Sequence, residues 1–221
     1  MEKINFRHSL VFFNFCILIS PFYFLLNFEP IVFCLLLILI LGISHGALDN
    51  VKGKKLLNLF GYKSFFYFYL IYISISLLII SLWLLFPNTV LLLFLIVAAY
   101  HFGKEDTVFL SKRKFLISEC LYFLKGSAVI LAPLLFQKDK TNEIFRILNF
   151  NVFESQIFNN HFLVTLLCLS FLSSLFISNK KNFDLKGLMI MDFFLFIILN
   201  IFLTPVFAFI IYFCFLFSLT H

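Results

Sequence analysis

Eight apolar runs follow one another along the chain, at roughly 9–28, 30–46, 64–86, 88–103, 115–136, 161–178, 188–203 and 205–221. A helix needs about 20 apolar residues to cross a bilayer. The second, fourth, seventh and eighth runs fall short of that, and each borrows a turn from its flanking loop. Backbone amides and carbonyls in hydrocarbon can bond only to one another, so runs of this kind fold as helices. The expected fold class is therefore all-α: a polytopic membrane helical bundle of about eight transmembrane helices. Glu29-Pro30, Pro87-Asn88 and Thr204-Pro205 mark tight turns, because proline suits the first position of a new helix. The longest connection on its side runs from Gln137 to Asn160. Within it, Thr141 to Phe150 reads as a short amphipathic helix on the membrane surface.

Composition excludes a soluble fold. The chain is 62% hydrophobic and 13% charged, against about 45–50% and about 25% for soluble domains. A core made from 221 residues cannot hide that excess. The net charge of +6 does not point to nucleic acid, because the basic residues sit in short loops between apolar runs. With the N-terminus in the cytoplasm, the inner segments hold Lys3, Arg7, Lys52, Lys54, Lys55, Lys63, Lys104, Lys112, Arg113, Lys114, Lys180, Lys181 and Lys186. The outer loops hold only Lys138, Lys140 and Arg146, while Lys125 lies inside the fifth run. That asymmetry reads as a multi-pass topology with a cytoplasmic N-terminus, and the expected location is the inner (plasma) membrane. Lys3 and Arg7 ahead of an apolar run imitate a signal peptide. The run from Ser9 to Phe28 is too long for one, and no small-x-small cleavage site follows. The five cysteines (Cys16, Cys34, Cys120, Cys168 and Cys214) stand singly in apolar runs and read as small buried hydrophobes. No sequence repeat and no second domain is visible, so residues 1–221 read as one membrane-embedded domain.

Ionisable residues are costly inside a membrane bundle, so each is a functional hypothesis by default. The topology puts His45, His101 and His221 at the inner ends of the second, fourth and eighth runs, at similar depth. His8 lies in the N-terminal segment, and His161 begins the sixth run on the opposite side. Three imidazoles at one level either converge on a metal such as Fe, Zn, Cu or Ni or stand as separate interfacial histidines. Their context favours the first. His45 sits in Ser44-His45-Gly46-Ala47-Leu48-Asp49 and His101 in Tyr100-His101-Phe102-Gly103-Lys104-Glu105-Asp106. Each has a neighbouring glycine and a carboxylate one helical turn on. Asp49 then shares a face with His45, and Glu105 with His101. A ligating histidine commonly donates its second N–H to such a carboxylate. The alternative for Asp49, Glu105 and Asp106 is a solvated helix end beside Lys52 and Lys104. Asp192, early in the seventh run, is either a helix-end charge, the reading its position favours, or a partner for the same site. Tyr100 and Tyr212 read as interface aromatics.

Gly42-Ile43-Ser44-His45-Gly46-Ala47-Leu48-Asp49 resembles the G-x-x-HGALD motif of the bacterial Brp/Blh-type β-carotene 15,15'-dioxygenases. Tyr100 to Asp106 is similar to that family's aromatic-HFG-x-x-D segment. Lys125-Gly126-Ser127 with Pro133, and Tyr212-Phe213-Cys214 through His221, are similar to two further and less specific stretches. The resemblance implies a membrane-embedded dioxygenase that splits β-carotene at its central double bond with O2, giving two retinals. It implies Fe(2+) as cofactor, held by His45, His101 and His221; the helical spacing above sets Asp49, Glu105 and Asp106 beside those residues. It also implies an indirect link to a rhodopsin apoprotein through retinal supply. One family histidine is replaced, since Phe217 stands four residues before His221. Family members continue past the position of His221, so the resemblance implies a divergent or truncated member with an incomplete C-terminal end.

Two other classes compete. A catalytically degenerate relative that only binds carotenoid is motivated by Phe217. A small transporter would place polar residues or helix breaks near the midplane, whereas these histidines gather at one interface. A di-iron desaturase would need HxxxH and HxxHH pairs, which the sequence lacks.

Overall fold

The computed structural model describes residues 65–105, 107, 116–155, 158–177 and 183–213, with scattered short stretches and single residues among 10–61. Its elements are α1 (Phe65–Leu85), α2 (Pro87–Glu105), α3 (Leu116–Phe136), α4 (Lys138–Ile147), a 3-10 turn (Val152–Glu154), α5 (Asn160–Ile177), α6 (Phe183–Phe202) and α7 (Pro205–Ile211). There is no strand among the described residues.

The all-α reading holds, and the apolar runs locate the helices to within a few residues. Among the described residues, four helices are long and apolar enough to cross a membrane: Phe66–Leu85, Pro87–Lys104, Ile117–Phe136 and Asn160–Ile177. In α6 the apolar stretch is shorter, Met189–Phe202. The runs at 9–28 and 30–46 fall largely outside the described residues, and the last run is described only to residue 213. The described residues thus hold four helices of spanning length where the whole sequence suggests eight. The turn expected at Pro87-Asn88 shrinks to Phe86 alone. Helical bonding continues on both sides of it, with Phe86 N–H on the Leu82 carbonyl at 2.8 Å and Val90 N–H on the Phe86 carbonyl at 3.0 Å. Pro87 opens α2 without loss, because the N–H it lacks would have no intrahelical acceptor at that position.

α3 is the centre of the bundle, lying between α2 and α5, its two most extensive partners. Lipid tails are as apolar as leucine, so helices in a membrane associate by close packing and interhelical hydrogen bonds. Both devices meet on α3. Toward α2, a Cβ added at Gly103 would overlap the Tyr122 carbonyl, and one at Gly126 would overlap the Ala99 carbonyl. The two backbones therefore touch where Ala99-x-x-x-Gly103 crosses Gly126. Toward α5, the buried Ser170 donates to the Lys125 carbonyl at 3.0 Å. Ser173 and Ser174, also buried, return their hydroxyls to the Ser170 carbonyl. Neighbouring residues of α3, Lys125 and Gly126, thus serve opposite seams.

The long connection after α3 packs on the other end of the bundle. α4 closes in a Schellman motif. Asn149 takes a left-handed φ of 56°, its N–H bonds the Arg146 carbonyl at 2.9 Å, and the Phe150 N–H reaches the Phe145 carbonyl at 2.9 Å. The apolar contact of that motif is Phe145 on Phe150, with centroids 5.4 Å apart. Phe153, Phe158 and Phe162 extend it as a chain of edge-to-face rings. The Arg146 guanidinium is bonded to Glu154, which raises its already high pKa and ties the helix end to the 3-10 turn. The expected amphipathic helix is real but starts three residues earlier than Thr141 and ends at Ile147.

The cysteines divide. Cys16 is buried, but Cys120 and Cys168 are exposed. They lie on the outer faces of spanning helices, where lipid rather than core supplies the apolar surroundings. Tyr212 also departs from expectation. It is buried at 4% exposure, with its ring 4.9 Å from Phe196 and 6.1 Å from Phe102.

Candidate active site

Phe94, Val97, Ala98 and His101 repeat at helical spacing along one side of α2. Together they form one wall of a cavity of about 470 Å3. α3 contributes Val129, Ile130 and Pro133, α4 contributes Thr141 and Ile144, and α7 contributes Pro205 and Phe209. The volume is in the range of pockets that hold drug-sized ligands, about 300–1,000 Å3. Among the described lining residues, the only polar side chains are His101 and Thr141.

Those two mark opposite ends. His101 lies beside the Gly103–Gly126 crossing. The Thr141 hydroxyl donates to the carbonyls of Pro133, at 3.0 Å, and Gln137, at 2.8 Å. Pro133 is seven residues along α3 from Gly126, about 10 Å of helix. Phe94 and His101 are the same distance apart on α2. The cavity therefore runs from an imidazole at one end to α4 at the other.

It arises from the way α2, α3 and α7 pack. The glycines close α2 on α3 at the His101 end. Toward Pro133 the side chains enlarge, and a proline inside α3 removes one N–H and disturbs the preceding turn. Phe102, next to His101, is buried and meets Phe209 edge-on at 5.8 Å. That contact fixes the last turn of α2 against α7, with His101 facing the cavity. His101 itself lies tilted beside the Phe102 ring, with centroids 6.1 Å apart.

A polar cluster sits just beyond. The Tyr100 hydroxyl donates to Glu119, and the Lys104 ammonium donates to the Tyr100 oxygen at 2.6 Å. Lys104 also pairs with Glu119 at 3.7 Å and lies 4.9 Å from the centre of the Tyr100 ring. The cluster joins the end of α2 to the start of α3. All three side chains are partly exposed, and solvent screens such pairs strongly. Its effect is to hold the turn that carries His101. Tyr100 is thus a bridge between two charges. The i, i+4 spacing of Tyr100 and Lys104 is the signal that would have found it.

Of the expected site residues, the described part of the chain includes His101 and the backbone of Glu105, which ends α2. The Glu105 side chain, and His45, Asp49, Asp106, Phe217 and His221 as a whole, lie outside the described residues. Among those described, no three His, Cys, Asp or Glu side chains gather around a point. His161 is exposed in the first turn of α5, at the α4 end of the bundle and away from His101. What can be tested of a metal site is the donor at His101. Imidazole is a donor type that suits Fe(II), and this one stands at the polar end of an otherwise apolar pocket. The sequence did not reveal the chamber, nor Thr141 at its far end.

Comparison with known proteins adds one finding. Residues 36–221 match the family model described as Beta-carotene 15,15'-dioxygenase. No curated protein and no solved structure matches the chain.

Proposed function

Because this chain belongs to the β-carotene 15,15'-dioxygenase family, we propose that it cleaves β-carotene at the central 15,15' double bond with O2 to give two molecules of retinal. The observation that carries this reading is the cavity: an apolar chamber in a membrane bundle with an imidazole at one end. A carotene is a hydrocarbon dissolved in the bilayer, so entering a chamber lined by Phe, Val, Ile and Pro costs it little desolvation. O2 also partitions into apolar phases.

The reaction balances without a reductant. The carbon–carbon double bond breaks, the O–O bond breaks, and each central carbon leaves as an aldehyde carrying one oxygen atom. No general base is needed. Fe(2+) is the cofactor of this proposal, with His45, His101 and His221 as its ligands and Asp49, Glu105 and Asp106 as their hydrogen-bonding neighbours. Bound iron supplies activation of O2. The chain's own contributions are different. His101 provides a nitrogen donor held by the Phe102–Phe209 contact. The apolar walls offer the polyene a slot along α2. The cluster of Tyr100, Lys104 and Glu119 keeps the last turn of α2 in place. The proposed setting is the inner membrane with the N-terminus in the cytoplasm.

The test is expression in bacteria that accumulate β-carotene. Loss of colour with appearance of retinal is the expected result, and persistent colour in cells holding well-inserted protein would sink the reading. Purified protein should carry iron, and His101→Ala should lower the iron content. A second reading, a relative that binds carotenoid without cleaving it, is favoured by Phe217 standing where the family motif has histidine. Under that reading Phe217→His restores cleavage. Under the first it raises activity only modestly.

A further inference from the structure

The cavity has two ends of different chemistry, and their separation is fixed by helices. We propose that α4 is the blind end of the substrate chamber, and that its distance from His101 determines which double bond is cut. This inference rests on the dioxygenase reading and adds a cause for its regiochemistry.

Four observations support it. The wall residues Phe94 and His101 are separated by about 10 Å along α2, which is the scale of the conjugated arm joining the central double bond of a carotene to its ring. The volume, about 470 Å3, suits one half of such a molecule with its ring. The far end is built from Thr141 and Ile144 of a helix anchored to α3, since the Thr141 hydroxyl bonds the Pro133 carbonyl at 3.0 Å. Finally, α4 is itself pinned by its Schellman end and by the packing of Phe150, which is 1% exposed. A ring that abuts such a floor cannot slide. A symmetric substrate whose ring is stopped there presents its midpoint to the His101 end.

Ile144 is half-buried and lines the floor, while Ile147 on the same helix is 77% exposed and does not. That pair makes the test. Ile144→Phe raises the floor, Ile144→Ala lowers it, and Ile147→Phe is the control. Two measurements are made on protein whose elution and thermal midpoint match the parent. The first is retention of retinal, used as a half-substrate probe, by metal-free protein. The second is the ratio of off-centre to central aldehydes formed from β-carotene by iron-loaded protein.

Ile144→Phe should weaken retinal binding about tenfold, and Ile144→Ala should raise the off-centre ratio about tenfold, the scale of a methylene-sized change in an apolar pocket. Ile147→Phe should alter neither. Unchanged retinal binding and an unchanged product ratio in both Ile144 variants would overturn the floor while leaving the dioxygenase reading intact. Retinal binding that responds to Ile144 in a protein that cleaves nothing would support the chamber and remove the dioxygenase reading, and with it the control of cleavage position.

Discussion

The two ends of α3 are held in opposite ways. Near Gly126 it is gripped by small residues, with the α2 backbone on one side and the serines of α5 on the other. Near Pro133 it is surrounded by large side chains that leave a hollow between them, and an aromatic cap over α4 closes the bundle. Where lipid removes the hydrophobic drive between helices, shape decides what stays together. A protein needing both a rigid mount for His101 and a space for a hydrocarbon can obtain them from one helix, by grading side-chain size along it.

The contrast breaks most readily at the grip. Gly126→Leu forces α2 and α3 apart and should cost more than about 3 kcal/mol, at the upper end of overpacking effects. Loss of the monodisperse species on size exclusion in detergent is the readout. If Gly126→Leu elutes and melts like the parent, the backbone contact is not what closes this end. At the cap, Phe150→Ala removes a ring buried in the aromatic chain and should destabilise by about 3 kcal/mol or slightly more, read as a lowered thermal midpoint. A shift no larger than that of an exposed substitution such as Ile147→Ala would mean the cap is ornamental.

Two smaller changes sharpen the picture. Asn149→Val puts a β-branched residue at a left-handed position and should cost about 1–2 kcal/mol, whereas Asn149→Gly should be close to neutral. Equal melting of the two variants would remove the Schellman end. Ser170→Ala deletes one interhelical hydrogen bond and should cost about 0.6 kcal/mol, the typical value for such bonds in membranes. An effect above that of Phe150→Ala would reverse the assignment of grip and cap.

Much of this was legible in the sequence, because a bilayer imposes a length on helices. The runs at 64–86, 115–136 and 161–178 correspond to α1, α3 and α5 within a residue or two at each end. The histidine in Tyr100-His101-Phe102-Gly103 was recognisable from its motif, and His101 lines the cavity. Tyr212 was misread because tyrosines of membrane proteins are enriched where helices meet headgroups. Its burial depends on Phe196 and Phe102, which approach only once α6 and α7 have packed. The cavity was invisible for the same reason, since four helices contribute to it and no local pattern encodes their spacing. Thr141 looked like the start of a surface helix. Its hydroxyl bonds to a carbonyl eight residues back, which sequence periodicity does not report.

The missing side chains at Gly103 and Gly126 act as a keyed joint. A helix that slipped by one residue would turn through about 100°, and the carbonyls of Ala99 and Tyr122 would then face carbon instead of the gap they now occupy. The azimuth of the imidazole is therefore set by atoms that are not there. Sequence drift can repack the chamber wall residue by residue, but at these two positions almost any addition reorients the histidine itself.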